Sequence, residues 1–327
     1  MDYKNILAEM LGEFRADIDR YRSGEKDRYF YKCKHTEEYA AIDENYGTRG
    51  RVLYGLRFGA AEVGEPEREQ MVREFFEQEI IAREKSSFQG IGSNLELLSV
   101  LMEQYRKPED KPMYERAKNA NFDCYCGFGI DESYAAQYPA DIYEYSLVDS
   151  IYLANELDMK EKLLRLVDIY KSEGLEDDHI LMFRRFARMT GRDDDREIAV
   201  KGCYERAFGC EPADMKGQME QLSAAEGMIE WLCDKGEISD AFALFKKHTD
   251  ILRSANGRAF FEMAHLIMEA DNALIRDVWK ICRKSIKQDM TNKRLYPICY
   301  SIIKSCAELA GDQLTYTLFD RLDRKNK

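Results

Sequence analysis

Apolar residues recur along most of this chain at intervals of three and four, the spacing that puts them on one face of an α-helix. Ile6, Leu7, Met10, Leu11, Phe14 and Ile18 follow it and predict a helix over residues 3–22, with a second over 67–85. From residue 93 onward the pattern becomes a series of paired amphipathic helices. The pairs read 146–157 with 160–173, 178–189 with 195–207, 217–233 with 237–250, 257–270 with 273–288, and 294–310 with 313–323. Their joints, such as "ELDMKE", "TGRDDD" and "CDKGEIS", are short and polar, which makes the partners antiparallel neighbours. Successive pairs start 32, 39, 40 and 37 residues apart, the period of stacked helical repeats that must bury their apolar faces on one another.

Local signals refine this picture. Ser93-Asn-Leu-Glu96 has the spacing of a capping box and predicts a helix start at Ser93. Pro108 and Pro112 then end that helix, and "NANFDCYCGFGID", residues 119–131, reads as the start of a non-helical insertion near 119–142. In it Gly127 and Gly129 allow unusual backbone angles, while Phe122, Tyr125 and Phe128 are expected to pin the loop to its neighbours. Residues 1–92 form a different helical region. Its aromatic, charge-mixed stretch between the two helices reads as short helices or an extended excursion, and the region is expected to pack on a repeat domain spanning 93–327.

"KGEISDAFALFKK", residues 235–247, resembles the second-helix entry of a tetratricopeptide repeat. Gly236 stands at the tight turn, Ile238 in the large apolar position, Ala241 in the small close-packing position and Phe245 in the aromatic one. "AGDQLTYTLFDRL" keeps the Gly311-Asp312 turn but has Tyr316 at the small position, and "ELDMKEKLLRLVDIY" has Lys162 there and no glycine. Over residues 145–323 the resemblance implies an all-α fold, a right-handed α-α superhelix whose concave face binds a protein or peptide.

Composition narrows the functional classes. The net charge of −12 is uneven: residues 271–327 hold 12 Lys and Arg against 7 Asp and Glu, leaving an excess of 17 acids in residues 1–270. A general nucleic-acid role is disfavoured, because neutralising phosphates needs a basic surface. The longest apolar runs, such as "AFFEMAHLIM", fall short of the roughly 20 residues of a membrane span. Nine scattered cysteines, several within helical patterns, suit small core residues in a reducing cytoplasm.

Motifs for catalysis are sparse. "QGIGSNL" begins like a dinucleotide fingerprint, but Leu95 holds the third glycine position and no strand pattern precedes it. Cys33-Lys34-His35 and Cys124-Tyr125-Cys126 share a one-residue gap, and together would supply the four soft donors of a zinc site. Against that reading, C-x-C zinc modules usually close with a second ligand pair nearby, whereas here "ESYAAQYP" follows. His179, His248 and His265 read as helix-surface or groove residues.

The most informative stretch is residues 131–159, with seven acids, five tyrosines and no lysine or arginine. Tyrosine supplies large contact area at low entropic cost, and carboxylates orient a basic partner. Asp131, Tyr134, Tyr138, Asp141, Tyr143, Glu144 and Tyr145 are therefore the candidate partner-binding residues. The expectation is a non-enzymatic, cytoplasmic helical-repeat protein without cofactor, binding a basic protein or peptide as an adaptor or a bacterial immunity protein would. The alternative is a zinc enzyme or metal-stabilised regulator built on Cys33, His35, Cys124 and Cys126.

Overall fold

The computed structural model describes residues 2–36, 41–87, 90–129, 132–176, 178–209, 211–254, 256–292 and 295–326. Among them the structure is all-α apart from one two-stranded antiparallel ribbon. The chain divides into two compact units, residues 1–174 and 175–327.

The first unit carries α1 (Tyr3–Arg22), β1 (Cys33–Lys34), β2 (Ile42–Asp43), α2 (Tyr46–Arg57), α3 (Glu65–Lys85), α4 (Ser93–Met102), α5 (Lys111–Lys118), α6 (Phe122–Gly127), α7 (Leu147–Glu156) and α8 (Lys160–Ser172). The expected division at residue 92 falls inside this unit, because α4 packs on α2 and α3. Leu95, Leu97, Leu98 and Met102 of α4 are buried, and a helix with so much apolar surface joins the core nearest to it. Helix α1 begins where the Asp2 carboxylate accepts the Lys4 amide at 2.9 Å. It buries Ile6, Leu7, Met10, Phe14 and Ile18, and packs against α2 and α8.

Arg49 joins these elements. The side chain is fully buried: Nε donates to Glu79 on α3 at 2.7 Å, Nη1 donates to the Tyr29 carbonyl at 2.9 Å, and Nη2 pairs with Asp43 on β2. A second charged cluster lies beside it. Asp17 of α1 accepts from Arg51 at 2.7 Å and from the Tyr29 hydroxyl at 3.0 Å.

The second unit is built from helical hairpins: α9 (Asp178–Thr190) with α10 (Asp193–Phe208), α11 (Met215–Asp234) with α12 (Ile238–Lys247), α14 (Arg258–Ala270) with α15 (Ile275–Thr291), and α16 (Tyr300–Leu309) with α17 (Gln313–Lys325). A single turn, α13 (Thr249–Leu252), extends the second pair. These are the pairs the periodicity predicts, to within a few residues except at the start of α16, where Pro297 opens a 3-10 turn first. Gly236 takes φ 77° at the α11–α12 turn, a conformation costly for any residue with a Cβ. Ala241 and Phe245 are fully buried, and Phe245 stacks on Phe260 with ring centroids 5.1 Å apart. Helix α11 packs on α14, and α14 on α16, so each hairpin covers the next.

Cys203, Cys282, Cys299 and Cys306 are buried in this unit as expected. Burial pushes the Cys299 thiol up to about 11 and the Cys306 thiol up to about 12, so both stay protonated at neutral pH. His248 departs from expectation. It is buried, shares a 2.6 Å hydrogen bond with the Tyr204 hydroxyl and stacks on Phe208, because the aromatic face of α10 covers it.

Arg49→Ala is expected to destabilise the protein by about 3–5 kcal/mol, since it leaves two buried carboxylates without their cation. Phe245→Ala should cost a similar ~3–5 kcal/mol through cavity formation. Urea denaturation checks both, and Arg165→Ala, which removes an ion pair on exposed Glu9, should leave the midpoint unchanged.

Candidate functional site

The stretch from Asn119 to Gly129 is helical in part, correcting the expected loop. The Asn121 side chain accepts the Cys124 amide at 2.8 Å, which caps a short helix, α6. Cys124 faces inward, its thiol pushed up by burial, and Phe128 is buried against Tyr134 with rings 6.5 Å apart. Phe122 and Tyr125 do not pin the segment. They lie three residues apart on the outer side of α6, 71% and 61% exposed, because the capped helix turns Cys124 to the core instead.

The segment that follows splits the candidate partner-binding set. Asp131 lies outside the described residues. Tyr134 and Tyr138 are buried and unavailable to a partner: the Tyr134 hydroxyl donates to the Gly127 carbonyl at 3.1 Å, and the Tyr138 hydroxyl donates to Glu96 at 2.7 Å. Two N–H groups of Arg57 hold the Tyr138 carbonyl at 2.9 and 2.7 Å. Tyr145 is half-buried and edge-on to Phe58 at 5.9 Å. Asp141, Tyr143 and Glu144 remain exposed, Asp141 capping a 3-10 turn by accepting the Tyr143 amide at 2.9 Å. The insertion near 119–142 is thus a run of short helical turns that send alternate tyrosines inward.

The four zinc-donor candidates are not gathered. Cys33 and His35 are neighbours, with 3.7 Å between sulfur and Nε2, while Cys124 is enclosed by α6 and Cys126 is exposed. Among the described residues no group of three or more His, Cys, Asp or Glu side chains is placed to hold a metal ion.

The first unit also holds a cavity of about 480 Å³, lined by Asp43, Tyr46, Arg83, Gly92, Ser93 and Glu156 among others. Gly92 explains why "QGIGSNL" looks like a ligand loop. It takes φ 83° ahead of α4, and a Cβ there would come within 3.0 Å of the Arg83 guanidinium and 3.2 Å of the Tyr46 hydroxyl. Ser93 makes no capping box. Glycine is the N-cap, Glu96 takes the Tyr138 hydroxyl, and Ser93 lines the cavity with Glu156. The capping box of this region is formed instead by Ser146 and Asp149 at the start of α7.

Glu156 ends α7 and faces this cavity, with the Tyr46 hydroxyl 3.5 Å away. Among the described residues no lysine or arginine pairs with it. Arg83 is committed elsewhere: it sits 3.8 Å from Glu79, donates to the Gly90 carbonyl at 3.3 Å and lies over the Tyr46 ring at 5.5 Å. Burial raises the Glu156 carboxyl above the usual carboxylate range, and the negative charges of Glu96 and Glu79 add to this, against the Ser93 and Tyr46 hydroxyls.

No protein-family model, curated protein or solved structure matches the chain. Among the described residues no helix is long and apolar enough to cross a membrane. Sequence reasoning missed Glu156 because one acid among 61 carries no signal, although it lies in the lysine- and arginine-free stretch that drew attention.

A carboxyl with a raised native pKa binds its proton more tightly in the folded state. Stability therefore falls as pH rises from the unfolded value through the folded one. Glu156→Gln is expected to remove that fall, matching wild type in urea midpoint near pH ~4 and exceeding it near pH ~7.5.

Proposed function

We propose that the chain is a non-enzymatic helical-repeat protein that binds a protein or peptide with a basic surface. The hairpins of the second unit would be tetratricopeptide-like repeats in a right-handed superhelix, a reading supported by buried Ala241 and Phe245 and by the packing of α11 on α14 and α14 on α16. The first unit supplies the contact. Its carrying observation is the outer side of α6, where Phe122 and Tyr125 stand mostly in solvent on a helix anchored from behind by Cys124 and Phe128. Paired aromatics on a rigid support are the anchors that dominate binding energy, because little entropy is lost when they are covered.

Charge selects the partner. Asp123 stands between the two aromatics, and Asp141 and Glu144 remain exposed in a stretch without lysine or arginine. Such a surface steers a basic segment and repels an acidic one. Thiols packed as core residues support a reducing, cytoplasmic setting.

On arrays of peptides matched in length and apolar content, wild type should favour lysine- and arginine-rich members. Phe122→Ala/Tyr125→Ala should bind those about tenfold or more weakly with unchanged thermal stability. Equal retention by the double variant, or preference for acidic peptides, overturns the reading.

A further inference from the structure

The cavity at Glu156 has walls, an acid and hydroxyls, but its charges do not balance. Arg49 and Arg83 face three carboxylates, Asp43, Glu79 and Glu156, and the two arginines are taken up by Asp43 and Glu79. Glu96, joined to the cluster through Tyr138, adds a further acid without a lysine or arginine partner among the described residues. Behind the cavity wall, Glu79 Oε2 and Asn94 Oδ1 are buried and accept no hydrogen bond among the described residues. A protein interior normally satisfies such groups, and leaving a carboxylate enclosed without a cation is costly.

We propose that this cavity is a binding site for a small primary amine, whose ammonium group pairs with Glu156 and whose apolar body fills the space beside Tyr46 and Ile42. The chemistry follows from what is present. A volume near 480 Å³ suits a small organic molecule rather than a bare ion. The Tyr46 and Ser93 oxygens line the cavity with Glu156 and can accept the remaining ammonium N–H groups, which a quaternary nitrogen lacks. The Tyr46 ring lines the same cavity, and ring faces attract cations. This site is separate from the outer side of α6, so either reading can fail without the other.

The test titrates the full chain by calorimetry with butylamine, benzylamine and 2-phenylethylamine, each beside its alcohol analogue. At least one amine should bind at about 1 mM or tighter, with its alcohol about tenfold or more weaker. Glu156→Gln should lose the amine preference by a similar factor of about ten while melting no lower than wild type. For wild type alone, amide shifts in NMR should centre on Gly92, Ser93 and Tyr46. The proposal is overturned if no amine outbinds its alcohol, if the folded Glu156→Gln variant binds amines as wild type does, or if the shifts centre elsewhere; the first and third readouts use wild type alone and decide the matter should the variant fail to fold.

Discussion

Burying one guanidinium organises the first unit. Arg49 has no contact with solvent, so its charge has to be met by protein groups, and those groups come from three places: Glu79 on α3, Asp43 on the ribbon and the Tyr29 carbonyl. Such a cluster contributes little net stability against an apolar substitute, but it tolerates no missing member. Its consequence is geometric. With Glu79 and Asp43 fixed, Arg83 is drawn toward Glu79, Asn94 donates to Glu79 at 2.9 Å, and the start of α4 is held against the Tyr46 end of α2.

The second unit works differently. Its core is aromatic and aliphatic, with Phe245, Phe260, Phe261 and Trp279 filling the space between hairpins. Some polar groups enter it in pairs, as where Trp279 donates to Asp312 at 3.2 Å or His248 meets Tyr204, while the Trp231 Nε1 is buried without a partner among the described residues. Like charges meet here too, Glu230 and Glu262 adding to burial in raising the Glu226 carboxyl, as Glu96 and Glu79 do for Glu156 in the first unit. There Glu156 remains as the acid to which no arginine was assigned.

Helices were legible in the sequence because they are local. Leu222, Ile229, Phe242 and Phe245 mark their helix faces by spacing alone, and Gly236 marks the turn between them. Residues whose role depends on partners far along the chain were not legible. Tyr138 reads as a surface tyrosine until Glu96 and Arg57 are brought to it, and Ser93 reads as a capping residue until Glu156 arrives from α7. Phe122 left its expected inward position because one hydrogen bond from the Cys124 amide to Asn121 turned the segment into a helix that buries Cys124 instead. Local rules failed at the cavity, where Ser93, Gly92 and Tyr138 all serve tertiary contacts. Such failures concentrate at functional or strained sites in natural proteins.

The account turns on Glu156 being a half-buried acid without a lysine or arginine partner among the described residues. A carbon-detected NMR titration of its side-chain carboxyl measures this most directly. The structure predicts a midpoint above the ordinary glutamate value of about 4.3, falling when a primary amine occupies the cavity. A midpoint at or below that ordinary value, unmoved by amine, would contradict it.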